Sequence, residues 1–171
     1  AANFPDYANS KENIAKDMEK IKAAGFTDII VDVRPTTGDV LFNTNVVDQV
    51  KRMDVWGNSG YSYYERTETW DYLQAFIEEA RIQGLKVNAS INTFVGGYLC
   101  PYNLGHDGVL FRDESKKGWA SVANLADGLT NTMDLLDDET DYGAKFFNPA
   151  NDDVQNFVLQ LLADNCKTKF C

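Results

Sequence analysis

The sequence has few of the residues on which metal, redox and nucleic-acid chemistry depend. It holds 1 histidine, 3 cysteines and 16 lysines and arginines against 26 acidic residues, for a formal net charge of −10 over 171 residues. With His106 alone, a site built from several histidines is excluded. The acidic balance and the lack of a basic stripe exclude nucleic acid as an expected partner and disfavour anionic membranes.

Long apolar runs and targeting signals are also missing. No stretch approaches the roughly 18 apolar residues of a membrane helix, so no membrane insertion is expected. The opening AANFPDYANS lacks a basic and apolar leader, which leaves a cytosolic protein or one whose leader has been removed. Cys100, Cys166 and Cys171 form no CxxC pair and predict neither a zinc site nor a complete disulfide framework, although a 166–171 bridge would close a short loop. No Walker or dinucleotide glycine pattern occurs, so no cofactor is expected.

The remaining pattern predicts a single domain over 1–171 with alternating helices and strands. At 44% hydrophobic residues the chain has ample material for a core. Apolar periodicity predicts helices at 10–25, 70–83 and from 151 onward, and strands at 28–33 and 85–91. Residues 36–69 and the Gly96-Gly97 region are expected to be long loops, followed by a small hairpin pairing 108–112 with 119–122. This order favours βαβ units and a parallel sheet.

The most informative segment is FTDIIVDVRPTTGDVLF at 26–42. Its apolar run stops at Asp32, Arg34 and Pro35, and the carboxyl ends of buried parallel strands are where α/β enzymes place their chemistry. Asp32 and Arg34 share one side of the strand by the two-residue period. They are interpreted as a catalytic carboxylate and a substrate-binding guanidinium, with a structural ion pair as the alternative.

Three blocks resemble a bacterial glycosyl-hydrolase-like family numbered ten. They are KENIAKDMEKIKAAGFTDIIVDVRPTTGDVLF, WDYLQAFIEEARIQGLKVNASINTF and KFFNPANDDVQNFVLQLLADN, which together cover about half of the chain. The resemblance implies a TIM-type (β/α)8 barrel that acts on carbohydrate at its C-terminal rim. The strand expected before ANFPDYANS and the one expected after the last helix are absent, so the chain is interpreted as an incomplete barrel with a small β-hairpin insertion.

Further candidates for sugar binding lie at strand ends and in loops. Asn88 and Asn92 belong to the second predicted strand, and side-chain amides can donate to and accept from sugar hydroxyls at once. Asn148 precedes the last helix, where a turn and cap would explain it equally well. Trp56 and Tyr98 are placed in the two long loops, where their rings would either stack on sugars or anchor the loops.

The expected function is glycoside hydrolysis of a poly- or oligosaccharide by a periplasmic or extracellular protein. Hydrolysis generally needs two carboxyl groups. Asp32 is one, and Glu65 is a weak candidate for the second. Two alternatives remain, a non-catalytic carbohydrate-binding protein and an inactive barrel fragment that self-associates through unpaired sheet edges.

Overall fold

The computed structural model describes residues 3–57, 60–99, 106–135 and 143–169. Its helices and strands follow one another in the order α1 Phe4–Tyr7, α2 Lys11–Ala23, β1 Asp28–Arg34, β2 Arg52–Gly57, β3 Gly60–Glu65, α3 Tyr72–Ile82, β4 Lys86–Ile91, β5 Val95–Leu99, β6 His106–Asp107, α4 Val109–Arg112, the 3₁₀ helix Glu114–Trp119, β7 Val122–Leu125, β8 Gly128–Asn131, the 3₁₀ helix Thr132–Leu135, β9 Gly143–Phe146 and α5 Asp152–Lys169. The three long helices and the strands β1 and β4 confirm the elements predicted from apolar periodicity.

The chain divides into two compact units. The first comprises Ala1–Val33, Val40–Asn43 and Gln49–Ile91, and the second comprises Arg34–Asp39, Thr44–Asp48 and Asn92–Cys171. Each unit draws on separate stretches of sequence. The single domain expected from chain length stays a prediction.

The first unit is built on β1, α2 and α3. Short polar residues cap both helices. The Ser10 side chain accepts a hydrogen bond from Asn13 N at 3.2 Å at the start of α2, and the Asp71 side chain accepts one from Gln74 N at 2.9 Å at the start of α3. The apolar faces of these elements are buried together because their spacing places them on one side. Their buried members are Ile14, Met18, Val31, Val33, Leu73, Phe76, Ile77 and Ala80.

Strand β1 pairs with β4. Hydrogen bonds join the starts of the two strands to each other and their ends to each other, so the strands run in the same direction. Lys86 N donates to Thr27 O at 2.9 Å at one end, and Asn92 N donates to Arg34 O at 3.3 Å at the other. The other three sheets, β2–β3, β6–β5–β9 and β7–β8, are antiparallel throughout.

The prediction of repeated parallel βα units of a TIM-type barrel is therefore wrong. Among the described strands the parallel arrangement extends over one pair, and short two- and three-stranded antiparallel sheets make up the rest. The connections give the physical reason. A parallel neighbour needs a crossover of about a dozen residues or more, whereas two residues join β2 to β3 and β7 to β8, a length that allows only hairpins.

Three local predictions are also corrected. Residues 36–69 are not a long irregular loop, because they contain the hairpin β2–β3, in which Trp56 pairs with Tyr61. The hairpin predicted at 108–122 lies further along the chain, at β7–β8, and Val109–Arg112 forms a helical turn instead. Gly96, Gly97 and Tyr98 lie within strand β5 instead of a loop.

The core of the second unit lies between α4, β9 and α5. Its buried members are Leu110, Ala120, Phe147, Val154, Phe157 and Val158. Val46, Val47 and Val109 pack against this cluster while half-buried, as do Trp119 and Met133. Through these half-buried side chains, the buried cluster extends to the surface of this unit.

Candidate functional site

The second unit contains a cleft of about 610 Å³ next to its core. Ligand sites typically occupy about 300–1,000 Å³. Three segments line the cleft. They are the loop Thr44–Asp48, the region from α4 through the 3₁₀ helix Glu114–Trp119, and the first half of α5. The lining residues are Asn45, Val46, Val47, Asp48, Val109, Arg112, Asp113, Lys116, Trp119, Asp153, Asn156, Phe157 and Gln160.

One wall of the cleft is a face of α5. Asn151 starts this helix by accepting hydrogen bonds through its side chain from Asp153 N at 2.9 Å and Val154 N at 3.2 Å. Positions 153, 156, 157 and 160 then follow one another at helical spacing and fall on one side. Phe157 on this face reaches the core, while Asn156 and Gln160 are exposed.

A second part of the lining carries Trp119, whose ring contacts Phe157 of the α5 face. The Trp119 ring packs edge-on against Phe147 at 6.0 Å and is tilted against Phe157 at 5.6 Å between centroids. Lys116 Nζ lies 4.3 Å from the centroid of the indole, a cation–π contact that the eclipsed i, i+3 spacing of a 3₁₀ helix favours. Aromatic neighbours thus fix the ring, and a flexible side chain covers part of it.

Three side chains that line the cleft end in amide groups. The side chains of Asn45, Asn156 and Gln160 make no hydrogen bond to another residue within the described ranges. An amide provides two donor hydrogens and an acceptor oxygen, so each can bind a hydroxyl group in either sense. The cleft therefore combines free hydrogen-bonding groups with a supported aromatic ring.

Two of the charged residues that line the cleft, Arg112 and Asp48, form an ion pair with each other. Arg112 binds the carboxylate of Asp39 with both terminal nitrogens, at 2.8 Å for Nη1 to Oδ2, and its Nε lies 3.3 Å from Asp48 Oδ2. Burial raises the pKa of the Asp39 carboxyl above its ordinary value, and the hydrogen bonds from Arg112 oppose that rise. The hydrogen bond from Ser115 lowers the pKa of Asp113.

The helical turn α4 reaches the cleft through a close backbone crossing. Gly108, which starts the turn, has φ +95°, and a Cβ added there would lie 2.3 Å from Gly97 Cα and 2.7 Å from Thr37 O. Only glycine fits such an approach, and its positive φ suits glycine as well. This crossing sets where Val109 and Arg112 enter the cleft wall.

Arg34, predicted to bind substrate, is fully buried in the second unit. Its guanidinium donates to three main-chain carbonyl oxygens: to Thr93 O at 3.2 Å, and also to Asn92 O and Val95 O. The rings of Phe147 and Phe157 lie 5.9 and 6.0 Å away. Burial lowers the pKa of Arg34 to about 10, so the group stays cationic at neutral pH and anchors the segment that follows β4.

Asp32, predicted to be catalytic, lies in the first unit and is half-buried on β1. Its Oδ1 is buried and accepts no hydrogen bond from the residues that the structure describes. Asp32 is not among the residues that line the cleft. Glu65, the weak candidate for a partner, is exposed at the end of β3, and its main-chain oxygen accepts a hydrogen bond from Asn9 at 2.9 Å.

The predicted asparagines mainly contact the backbone. Asn92 donates through its side chain to Arg34 O at 3.0 Å, and Asn88 is exposed with a long contact of 3.4 Å to Ile29 O. Asn148 Oδ1 accepts from Ala150 N at 3.0 Å, the turn geometry expected before a helix. None of these residues lines the cleft. Their ligand roles stay predictions.

The aromatic candidates lie in strands. Tyr98 is half-buried in β5 opposite Asp107 and Ala144. The backbone of Trp56 pairs within β2, while its side chain lies outside the described residues, as do Cys100 and Cys171. Trp119, Asn156 and Gln160 were not predicted as site residues. A tryptophan beside paired lysines and two amides four residues apart on the last helix were the signals present in the sequence.

Neither a metal cluster nor a membrane-spanning helix is found in the described parts of the chain. There, no group of three or more histidine, cysteine or acidic side chains could hold a metal ion. The helices over the same residues are too short or too polar to cross a bilayer.

The chain is similar to part of a much longer protein. No family model matches the chain. An S-layer-related protein of Niallia circulans is 26% identical to it over 161 residues. The match covers 90% of this chain but only 9% of that relative. The resemblance to the glycosyl-hydrolase-like family and the self-association through sheet edges stay predictions.

Proposed function

We propose that this chain binds a neutral oligosaccharide in the cleft of the second unit. The observation that carries the proposal is the combination of Trp119 with the uncommitted amides of Asn45, Asn156 and Gln160 around one cleft. The apolar face of a sugar ring packs on an aromatic ring, and its hydroxyl groups exchange hydrogen bonds with amides.

The charges favour a ligand without charge. Arg112 is already neutralised by Asp39 and Asp48, and Lys116 contacts the indole of Trp119. The chain carries a formal net charge of −10, which repels polyanions such as nucleic acid. A ligand that brings hydroxyl groups and apolar ring faces requires no unpaired charge from the protein.

The proposed location is outside the cytoplasm, as a surface or secreted protein. The similarity to an S-layer-related protein supports this location and agrees with the periplasmic or extracellular placement expected from the sequence.

The test is isothermal calorimetry of the chain with cellotetraose, xylotetraose, mannotetraose and chitotetraose. The double variant Asn156→Ala/Gln160→Ala removes two exposed amides from the α5 face and leaves the core untouched. We expect the wild type to bind at least one tetrasaccharide and the double variant to lose about tenfold or more in affinity, since losing two ligand hydrogen bonds costs about 1.4 kcal/mol or more.

The matched control is Gln155→Ala. It removes an amide of the same kind from the same helix, at an exposed position that does not line the cleft. Affinity equal to the wild type is expected. Equal binding by the double variant, or binding by none of the four sugars, would contradict the proposal.

A second candidate is glycoside hydrolysis with Asp32 as a catalytic carboxylate. The observation that favours it is the buried Oδ1 of Asp32, which the fold does not engage in a hydrogen bond within the described residues. Asp32→Asn should then abolish release of reducing ends from the same tetrasaccharides while the chain stays folded. Binding without turnover by the wild type would eliminate this candidate and leave the binding function in place.

A further inference from the structure

The loop Thr44–Asp48 forms part of the cleft wall without regular secondary structure. It supplies Asn45, Val46, Val47 and Asp48 to the lining. Thr44 Oγ1 donates to Asp164 Oδ2 of α5 at 2.7 Å and accepts from Val46 N at 3.1 Å. One end of the loop is thereby tied to the helix that forms the facing wall.

The other end of the loop is held by Arg112. Asp48 Oδ2 lies 3.3 Å from Arg112 Nε, and the terminal nitrogens of that guanidinium bind Asp39. The Asp39 side chain is only 5% exposed, so it is a fixed partner. Because the guanidinium is planar and rigid, two bonds to Asp39 also fix the direction in which Nε points. Asp48 therefore meets a donor whose orientation is already set.

We propose that Arg112 is a positioning residue, which holds Asp48 and the loop Thr44–Asp48 at the spacing at which the cleft binds its ligand. The inference rests on the proposed oligosaccharide binding. The Asp48 side chain is 61% exposed, and exposed ion pairs contribute little to stability. The contact between Arg112 and Asp48 acts instead on the ordering of the loop before binding, and preorganisation of this kind raises affinity.

Asp48→Asn tests the inference, because it weakens the outer contact and keeps Arg112 bound to Asp39. Two quantities are measured: affinity for the tetrasaccharide that binds the wild type, and amide hydrogen exchange of 44–48. We expect affinity to fall about two- to fivefold, exchange to rise in the loop alone, and the melting temperature to stay unchanged. Arg112→Lys should lower affinity in the same way, since an ammonium group cannot keep the forked geometry.

Glu114→Gln is the control, because it removes one exposed carboxylate from the neighbouring 3₁₀ helix at a position outside the lining. It should change neither affinity nor loop exchange. Unchanged loop exchange in Asp48→Asn would overturn the inference whether or not any sugar binds. Raised exchange with unchanged affinity would also overturn it. Failure of the wild type to bind any tetrasaccharide would instead contradict the proposed function.

Discussion

Replacing Arg34 with alanine should greatly lower the free energy of unfolding of the chain. The guanidinium of Arg34, itself without solvent exposure, donates to the carbonyl oxygens of Asn92, Thr93 and Val95. Each of the three charge-assisted hydrogen bonds lost costs about 1.5–3 kcal/mol, for a sum of about 4.5–9 kcal/mol. Removing a buried cation recovers several kcal/mol of desolvation. The expected net loss is about 3–5 kcal/mol.

The assay is urea unfolding followed by far-ultraviolet circular dichroism. Arg34→Lys keeps the positive charge but cannot span three carbonyls, and a smaller loss of about 1–3 kcal/mol is expected. Arg81→Ala, at an exposed position near the end of α3, should change the free energy of unfolding by no more than about 0.5 kcal/mol. A loss below about 1 kcal/mol for Arg34→Ala, together with loss of sugar binding, would refute the anchoring role and favour the predicted ligand role.

Two further predictions concern the backbone crossing and the tyrosines. Gly108→Ala should lower the free energy of unfolding by more than about 2 kcal/mol, because the added Cβ would clash with Gly97. Gly60→Ala is the control, at φ +99° with no atom near the added Cβ. It should show only the smaller cost of the backbone conformation in the same urea titrations. The tyrosines are followed by tyrosinate absorbance in an alkaline titration. Tyr7 should ionise near pH 12, because burial and its hydrogen bond to Asp17 raise its pKa to about 12. Tyr72 should ionise at still higher pH, because burial raises its pKa further. A raised tyrosine pKa contributes stability that is complete below pH 10 and lost as pH rises through about 12; ionisation of all tyrosines near pH 10 in the folded chain would contradict this.

The elements with strong apolar periodicity could be predicted from the sequence. Helices α2, α3 and α5 and strands β1 and β4 match because burial on one face dictates their pattern. The hairpin β2–β3 was missed although Asn58, Ser59 and Gly60 separate two runs rich in aromatic residues, a turn signal in the sequence. The segment Val109–Arg112 has a strand-like composition but forms the helical turn α4. There Arg112 binds Asp39, a contact between distant parts of the sequence that periodicity does not show.

The cleft could not be predicted because its walls come from distant segments. Periodicity identified the buried face of α5, including Val154 and Phe157, yet it does not show what the neighbouring face meets. The position of Arg34 at a strand end suggested a ligand, but a strand end says nothing about nearby carbonyl oxygens. Those of Asn92 and Val95 approach only once the chain has folded.

The most direct test of the cleft as a sugar site is a nuclear magnetic resonance titration of the side-chain amides with the four tetrasaccharides. The resonances of Asn45, Asn156 and Gln160 should shift on binding, together with the indole NH of Trp119, while the amide of Gln155 stays in place. Binding that shifts the Asn88 and Asn92 amides and leaves the cleft resonances unchanged would contradict the account and move the site to the end of β4.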